Sequence, residues 1–166
     1  MNGIEVGSLT QVEVFEGLTA EQMERILAIA RLEECRRGTV IFPENAPGDR
    51  MYIVLDGEVE ILVDPRILGE KVPEGTQATP ITVIRRGQSF GEVALVDAGV
   101  RSAAAVCRSP QARLLVIGRQ DFLRLCQEDP SLGFRVMFNI AADLAGRIRT
   151  TDLMLRGRLL LAPRER

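Results

Sequence analysis

The sequence contains no histidine and no tryptophan, and aromatic residues make up only 4% of its 166 residues. The absence of histidine excludes a Ser-His-Asp triad, a Cys-His pair, a histidine general base and any histidine-ligated metal. The three cysteines, Cys35, Cys107 and Cys126, are far apart and fit no CxxC metal or redox spacing. We therefore expect no catalytic residues, no bound metal and no enzymatic activity.

Signals for export and for a membrane are also lacking. Residues 1–15 have neither the basic start nor the apolar run of a signal peptide, and no stretch approaches the roughly 18 apolar residues of a membrane span. A sparse, odd number of cysteines is typical of a reducing compartment. We expect a cytoplasmic protein that makes no membrane contact. The net charge of −2 argues against nucleic acid as a partner.

The remaining composition is that of one globular domain. Hydrophobic residues make up 46% and charged residues 27%, which is ordinary for such a domain. With so few aromatic residues, we expect an aliphatic core. Leu18–Ala30 has apolar residues at helical spacing, and Thr19 followed by Gln22 predicts a capping box at its start. A second short helix is predicted at Arg119–Glu128.

A long C-terminal helix is predicted to begin at Pro130, with Asp129 as its N-cap, and to end near Leu155. Residues 156–166 are expected to be frayed or ordered only by a partner. We expect the first half of the helix to pack on the domain. The second half would then be free to pair with a second copy or another protein. The predicted seam has alternating three- and four-residue steps: Phe134, Met137, Ala141, Leu144, Ile148, Thr151 and Leu155.

Between these helices, short β-rich runs alternate with glycine, proline, aspartate and asparagine. Many short strands at regular spacing are typical of a β-roll or sandwich. Asp56-Gly57 lies between two such runs and predicts a hairpin with a type I′ turn. Residues 64–80 are expected to form a longer, mobile connection. Strands are predicted near Leu32–Cys35, Thr39–Phe42, Met51–Leu55, Glu58–Val63, Ile81–Ile84, Ser102–Cys107 and Leu114–Ile117.

One segment of the β region, residues 90–103, combines groups that suit a phosphate and a hydroxyl. Its sequence is FGEVALVDAGVRSA. Arg101 offers a planar fork of donors for a phosphate, and Ser102 adds a hydroxyl. Glu92 only accepts when ionised, so it suits a sugar hydroxyl rather than a phosphate. These groups fit a compact ligand with one negative charge, and the alternative is an ordinary salt bridge between Glu92 and Arg101.

The same segment resembles the phosphate-binding cassette of the cyclic nucleotide-binding domain family. The family pattern is F-G-E-x-A-L, a short loop, and then R-[ST or A]-A, and every defining position is present. Residues 38–61 and 117–122 also resemble the family. The resemblance covers about residues 10–155 and implies one cyclic nucleotide-binding domain there. Its implied fold is α+β and mainly β: an eight-stranded antiparallel β-roll of the jelly-roll type, flanked by an N-terminal helix and by the C-terminal B and C helices.

The resemblance also implies a role for each matching position. The residues implied to hold the exocyclic phosphate are Arg101, Ser102, Ala103 and Ala94, the last two through their backbone N–H groups. Those implied to hold the ribose 2′-hydroxyl are Glu92 and Gly91. The base pocket is implied at Ile61, Ile81, Thr82, Ile84 and Leu95, for which plain core packing is the alternative. The implied lid lies on the C-terminal helix at Arg147, Thr150, Thr151 or Leu153.

The implied function is that of a regulatory sensor. We expect a cyclic mononucleotide as ligand, with cyclic AMP favoured over cyclic GMP, no further cofactor, and a signal passed on through the C-terminal helices. We expect either a stand-alone sensor or the sensor part of a larger protein. The alternative is an interaction module that keeps the fold, has lost the ligand and holds partner proteins through its helices.

Overall fold

The computed structural model describes residues 5–65, 78–97 and 99–161. In this part of the chain, the strands are β1 Ala30–Arg36, β2 Val40–Phe42, β3 Arg50–Asp56, β4 Val59–Val63, β5 Thr79–Ile84, β6 Ser89–Phe90, β7 Ala104–Cys107 and β8 Gln111–Gly118. The α-helices are α1 Ala20–Ile29, α2 Val93–Val96, α3 Arg119–Glu128 and α4 Pro130–Leu161. Two short 3-10 helices, Val6–Leu9 and Glu13–Phe15, precede α1.

The eight strands form two antiparallel sheets of four, in the orders β1-β8-β3-β6 and β2-β7-β4-β5. This confirms the predicted eight-stranded antiparallel roll with flanking helices. Strand β6 has only two residues, too few to show a periodicity, and was not predicted. Pro80 lies in β5, at the edge of its sheet, where a missing N–H costs no ladder hydrogen bond.

The central strands of the sheet β1-β8-β3-β6, β8 and β3, are buried on both faces. Side chains of β8 alternate between two clusters: Leu114 and Val116 pack between the sheets, whereas Leu115 and Ile117 pack against the helices. A strand buried on both faces reads as a continuous apolar run rather than an alternating one. The helical layer is therefore as much a part of the core as the second sheet.

The core of the described part is mostly aliphatic, as expected, but aromatic side chains are also buried in it. Phe15, Phe90 and Phe122 are the largest of the fully buried side chains, and Tyr52 is buried as well. A core packed at crystal-like density needs large side chains where the layers are far apart. The few aromatic residues of this chain are mostly used in that way.

The predicted hairpin at Asp56-Gly57 is also wrong. β3 and β4, on either side of it, lie in different sheets and do not pair with each other. Gly57 has a φ of +82°, but Asp56 lies outside the positive-φ region that a type I′ turn requires of both residues. The turn carries the chain from one sheet to the other, so that each strand finds its partners elsewhere.

We expect Gly57→Ala to destabilise the fold more than Gly38→Ala does. The two glycines have nearly the same φ, +82° and +83°, so each substitution carries a left-handed strain of about 1–2 kcal/mol. A Cβ at Gly57 would lie 2.5 Å from the carbonyl oxygen of Gln111, whereas nothing lies within 4 Å of one at Gly38. Overpacking adds about 1–3 kcal/mol. Urea denaturation of both variants measures the difference, and equal losses would contradict this expectation.

The predicted helix starts are confirmed. The Thr19 hydroxyl accepts from the Gln22 N–H, and the Gln22 side chain accepts from the Thr19 N–H, which is a complete capping box before α1. Asp129 Oδ1 accepts from the Leu132 N–H at 3.0 Å and caps α4. These signals are local, because a cap involves only residues within one turn of each other.

The predicted end of the long helix is wrong. α4 continues past Leu155 to Leu161, and the expected frayed tail at residues 156–166 is helical up to that point. The sequence contains no proline between residues 131 and 162. Pro163 is therefore the first position after Pro130 at which the sequence itself disfavours a helix.

The predicted seam does not form one face of α4. Met137 and Leu144 pack against the core, whereas Phe134 and Ile148 are exposed. Residues three apart on a helix differ by about 60° around its axis. The predicted seam is therefore broad, and some of its residues face the core while others face solvent. Its last member, Leu155, has a side chain outside the described part. The side chains of α4 that are buried in the core are Leu132, Val136 and Ile140.

Residues 66–77 of the predicted connection lie outside the described part of the chain. Within that part, none of the helices is long and apolar enough to cross a membrane.

Candidate functional site

A cavity of about 520 Å³ lies between the sheet β2-β7-β4-β5, the segment around α2, and α4. Most residues predicted for the site line it. From the predicted phosphate and ribose positions, these are Gly91, Glu92, Ala94, Arg101, Ser102 and Ala103. From the predicted base pocket they are Ile61, Ile81, Thr82 and Ile84, and from the predicted lid, Arg147.

Four predicted residues are not brought to the cavity. Leu95 is fully buried in the core on the helix side, because it lies on the inner side of the short helix α2. Thr150 and Thr151 are exposed and donate to carbonyls one turn earlier in α4, and Leu153 is 68% exposed. α4 lines the cavity at Leu144 and Arg147, so of the proposed lid only Arg147 reaches the site.

The turn before α2 depends on a glycine. Gly91 has a φ of +69°, and a Cβ there would lie 2.6 Å from Arg101 Nη1. Its carbonyl accepts from the Ala94 N–H at 3.2 Å. The N–H group of Ala94, which was predicted to hold a phosphate, therefore closes the turn in this structure.

The loop after β2 holds the backbone of Arg101 in place. Its backbone N–H donates to the Ala46 carbonyl at 2.8 Å, and its own carbonyl accepts from the Asn45 N–H at 2.9 Å. Pro47 and Val100 form an isolated antiparallel bridge beside this pair. The loop after β2 thus pairs with residues 99–101 as a short strand would. This pairing fixes the position of the Arg101 backbone, from which the side chain extends.

The Arg101 side chain is only 6% exposed although it is charged. Nη1 donates to the Gly91 carbonyl at 3.1 Å, and Nη2 donates to the Arg50 carbonyl at 2.7 Å. Burial lowers the pKa of Arg101, but an arginine starts so high that it stays charged near neutral pH. The hydrogen-bond partners of this buried cation are neutral carbonyls, so no anion compensates its charge through them.

Three aromatic rings in mutual contact adjoin this guanidinium, two of them directly, and they were not predicted from the sequence. Arg101 Cζ lies 4.2 Å from the ring centroid of Phe42, within cation–π range. The rings of Tyr52 and Phe90 stack at 5.0 Å, and Phe42 lies 5.5 Å from Tyr52. These residues come from three separate strands, and no spacing in the sequence indicates that they meet.

Glu92 pairs with the long helix and not with Arg101. Its side chain is 3% exposed, and its Oε1 lies 3.0 Å from Nη1 of Arg147. Burial raises the pKa of Glu92, while Arg147 and Arg101 lower it and Asp143 raises it. Among the described residues, the salt bridge between Glu92 and Arg101 that was the alternative reading is not formed.

Two buried polar atoms, on two residues that line the cavity, have no hydrogen-bond partner among the described residues. They are Oε2 of Glu92, an acceptor, and Nε of Arg101, a donor. An unsatisfied buried polar group costs about 1–3 kcal/mol, so a native structure rarely leaves two in one place without a use. One of these atoms is an acceptor without a donor, and the other is a donor without an acceptor.

Comparison with known proteins identifies the family. Residues 32–129 match the family model described as cyclic nucleotide-binding domain. The chain is 32% identical over 142 residues to the cyclic AMP receptor protein of Thermus thermophilus, covering 86% of this chain and 60% of that protein. It is 28% identical over 120 residues to a cGMP-dependent protein kinase of Caenorhabditis briggsae, covering 72% of this chain and 15% of the kinase.

A solved structure is similar to the whole roll. The crystal structure of Thermus thermophilus catabolite activator protein matches with a TM-score of 0.70 and 31% identity, covering 87% of this chain and 62% of that one. The chain thus spans about three fifths of these bacterial relatives.

Proposed function

Because this chain belongs to the cyclic nucleotide-binding domain family, we propose that residues 10–155 are a regulatory sensor domain that binds a cyclic mononucleotide in the cavity between the roll and α4. The observation that carries the proposal is the pair of unpartnered buried atoms, Glu92 Oε2 and Arg101 Nε. A cyclic nucleotide supplies what each of them lacks. Its exocyclic phosphate oxygens accept hydrogen bonds, and its ribose 2′-hydroxyl donates one.

In this proposal, Arg101 and Ser102 hold the phosphate, and Glu92 holds the ribose. The assignment of Arg101 is supported by its burial and by its position over Phe42. Both leave its charge poorly solvated. Glu92 supports it by being buried with one free acceptor. The cyclic nucleotide is a ligand and not a resident cofactor, and the proposal includes no catalytic step.

For the base, we propose that cyclic AMP is preferred over cyclic GMP. The strands that line the base side of the cavity contribute Ile61, Ile81 and Ile84, together with Thr82. A cyclic AMP receptor at 32% identity supports the same preference. An apolar pocket discriminates weakly between molecules of similar shape, and so we expect less than about a hundredfold difference between the two bases.

Isothermal titration calorimetry with cyclic AMP and cyclic GMP tests both points at once. We expect cyclic AMP to bind with micromolar or better affinity, and cyclic GMP to bind more weakly by less than about a hundredfold. No heat with either nucleotide would favour the alternative, an interaction module that has kept the fold and lost the ligand. A larger preference for cyclic GMP would show that a polar side chain reads guanine.

We expect Glu92→Gln to weaken cyclic AMP binding less than Arg101→Ala does, and to change its pH dependence. An amide oxygen still accepts from the 2′-hydroxyl, but the charge-assisted part of the bond, about half its strength, is lost. Because burial raises the pKa of Glu92, the wild-type affinity should fall as pH falls through that raised value, since the carboxylate is then protonated. Arg147, Arg101 and Asp143 face this carboxyl.

Calorimetry across the acidic range measures this effect, and the Glu92→Gln variant should show a flatter profile than the wild type. A steeper loss of affinity in Glu92→Gln than in Arg101→Ala would show that the two roles have been exchanged.

We propose a second copy of the chain as the partner of α4. The outer side of this helix exposes Phe134 at 69%, Phe138 at 57% and Ile148 at 62%, and the first two rings stack on each other with centroids 6.1 Å apart. Alanines separate the bulky ends of the stripe. A stripe with large ends and a small centre suits pairing with an identical helix. We place the domain in the reducing cytoplasm, which three free cysteines support.

A further inference from the structure

We infer that Phe42 compensates the charge of Arg101 when no nucleotide is bound, and that its ring thereby lowers the affinity of the site for the nucleotide. This inference rests on the proposed function of the cavity and adds a residue from outside residues 90–103. Cζ of Arg101 lies 4.2 Å from the centroid of the Phe42 ring. At this distance the negative face of an aromatic ring attracts a cation. Both residues line the cavity.

No carboxylate of the described residues forms an ion pair with Arg101. Glu92 and Asp49 each pair with a different arginine, at 3.0 and 2.8 Å. The carbonyls that accept from Nη1 and Nη2 orient the guanidinium but carry no net charge. A buried cation is costly without compensation. The ring face of Phe42 supplies part of that compensation, since the ring of Tyr52 is farther away, at 5.9 Å.

The strand that carries Phe42 is irregular at this point. In a regular strand, residues two apart point to the same side, yet Val40 is exposed whereas Phe42 lines the cavity. The register of β2 against β7 shifts between these two residues, and such a shift redirects a side chain. The ring then contacts Tyr52 at 5.5 Å and Phe90 at 5.9 Å. The fold thus directs an aromatic ring to the guanidinium and fixes it there.

The ring and a phosphate would act on the same charge. A phosphate held by Arg101 supplies a full negative charge at hydrogen-bond distance, and the resulting ion pair has little net charge for the ring to attract. Phe42 therefore stabilises the nucleotide-free protein more than the complex. Because a ligand is affected only by the difference between the two states, the ring should weaken binding. The direction of the guanidinium does not depend on the ring, since two hydrogen bonds to carbonyls fix it.

Fluorinated phenylalanines at position 42 of the full chain test this with little change in shape. The mono-, di- and trifluoro rings withdraw electron density from the ring face stepwise and so weaken its attraction to a cation. We expect the stability of the nucleotide-free chain, measured by urea denaturation, to fall at each step. The affinity for cyclic AMP, measured by calorimetry, should rise at each step, by about three- to tenfold for the trifluoro ring.

Two controls isolate the contact between the ring and the cation. Phe122 is fully buried in the core on the helix side, and a trifluoro ring there should leave the affinity for cyclic AMP unchanged. In an Arg101→Met background, which keeps an apolar stem, fluorination of Phe42 should no longer lower the stability of the nucleotide-free chain. Equal losses of stability with and without Arg101 would show that the ring only packs, and the inference would be wrong.

The affinity of the fluorinated series decides the rest. Affinity that falls with each fluorine would show that the ring favours the complex, and unchanged affinity that it acts equally on both states; either result overturns the inference. If the trifluoro chain does not fold, the trend across the mono- and difluoro chains gives the sign. If the wild type binds no cyclic nucleotide, the proposed function is removed. A stability loss that requires Arg101 would then still support Phe42 as the group that compensates its charge.

Discussion

Arg101→Ala is expected to weaken cyclic AMP binding by about 2–5 kcal/mol, or roughly 30-fold to several thousandfold. Arg101 is 6% exposed, and its guanidinium would be the main cation that faces the phosphate. Without it, a buried anion would lie over the ring of Phe42 with no compensating charge. Calorimetry with cyclic AMP measures the loss directly.

Two controls separate this loss from damage to the fold. Arg101 also holds the Gly91 and Arg50 carbonyls, so thermal unfolding of the free variant must accompany the titration. Arg50→Ala removes a nearby cation whose side chain instead pairs with Asp49 at 2.8 Å, and it should leave the affinity close to that of the wild type. Unchanged affinity in a folded Arg101→Ala variant would remove the assignment of this residue to the phosphate.

Cyclic AMP is expected to slow hydrogen exchange in α4, most strongly around Leu144 to Thr151. Beyond Leu144, the described side chains of this helix are mostly exposed, so local opening costs little free energy in the absence of ligand. A base in the cavity would contact α4 at Leu144 and Arg147, and this favours the docked position. At about 100 times the dissociation constant, the linkage amounts to about 2.7 kcal/mol, or about a hundredfold slower exchange.

The matched control is Arg101→Ala at the same nucleotide concentration, in which the exchange of α4 should not change. Sedimentation velocity on the same samples reports whether the docked helix pairs with a second copy, and Phe138→Ser should abolish any such pairing. Equal protection with and without cyclic AMP, together with an unchanged sedimentation coefficient, would leave the domain as a passive holder of the nucleotide.

Local signals in the sequence were sufficient for a large part of the fold. The caps at Thr19 and Asp129 each involve residues within a single turn, so the sequence reveals them directly. The sequence also reveals the cassette directly, because Gly91, Glu92 and Arg101 lie in one short segment. The backbone of that segment can bring all three to one cavity. Alternating short strands and turn residues were enough to predict a β-roll or a sandwich, and the resemblance of the cassette to a known family implied the roll.

Pairing between strands was beyond such local signals. The Asp56-Gly57 pattern correctly marks a turn, but the strands on either side enter different sheets. Which strands pair depends on how the two sheets stack, and this is decided by burial over the whole domain. In the same way, the apolar steps of α4 predict a helix with an apolar surface, but not which side of it meets the roll.

The sequence by itself determined the chemistry of this protein: a glycine that allows the turn before α2, a carboxylate and an arginine at the spacing of the cassette, and a β-rich framework to carry them. Only the tertiary structure decided which partners these charges have. Phe42 meets Arg101, and Arg147 meets Glu92, because two sheets and a long helix converge on one cavity. Contacts between residues so far apart in the chain follow from the packing of whole elements, which no local periodicity encodes.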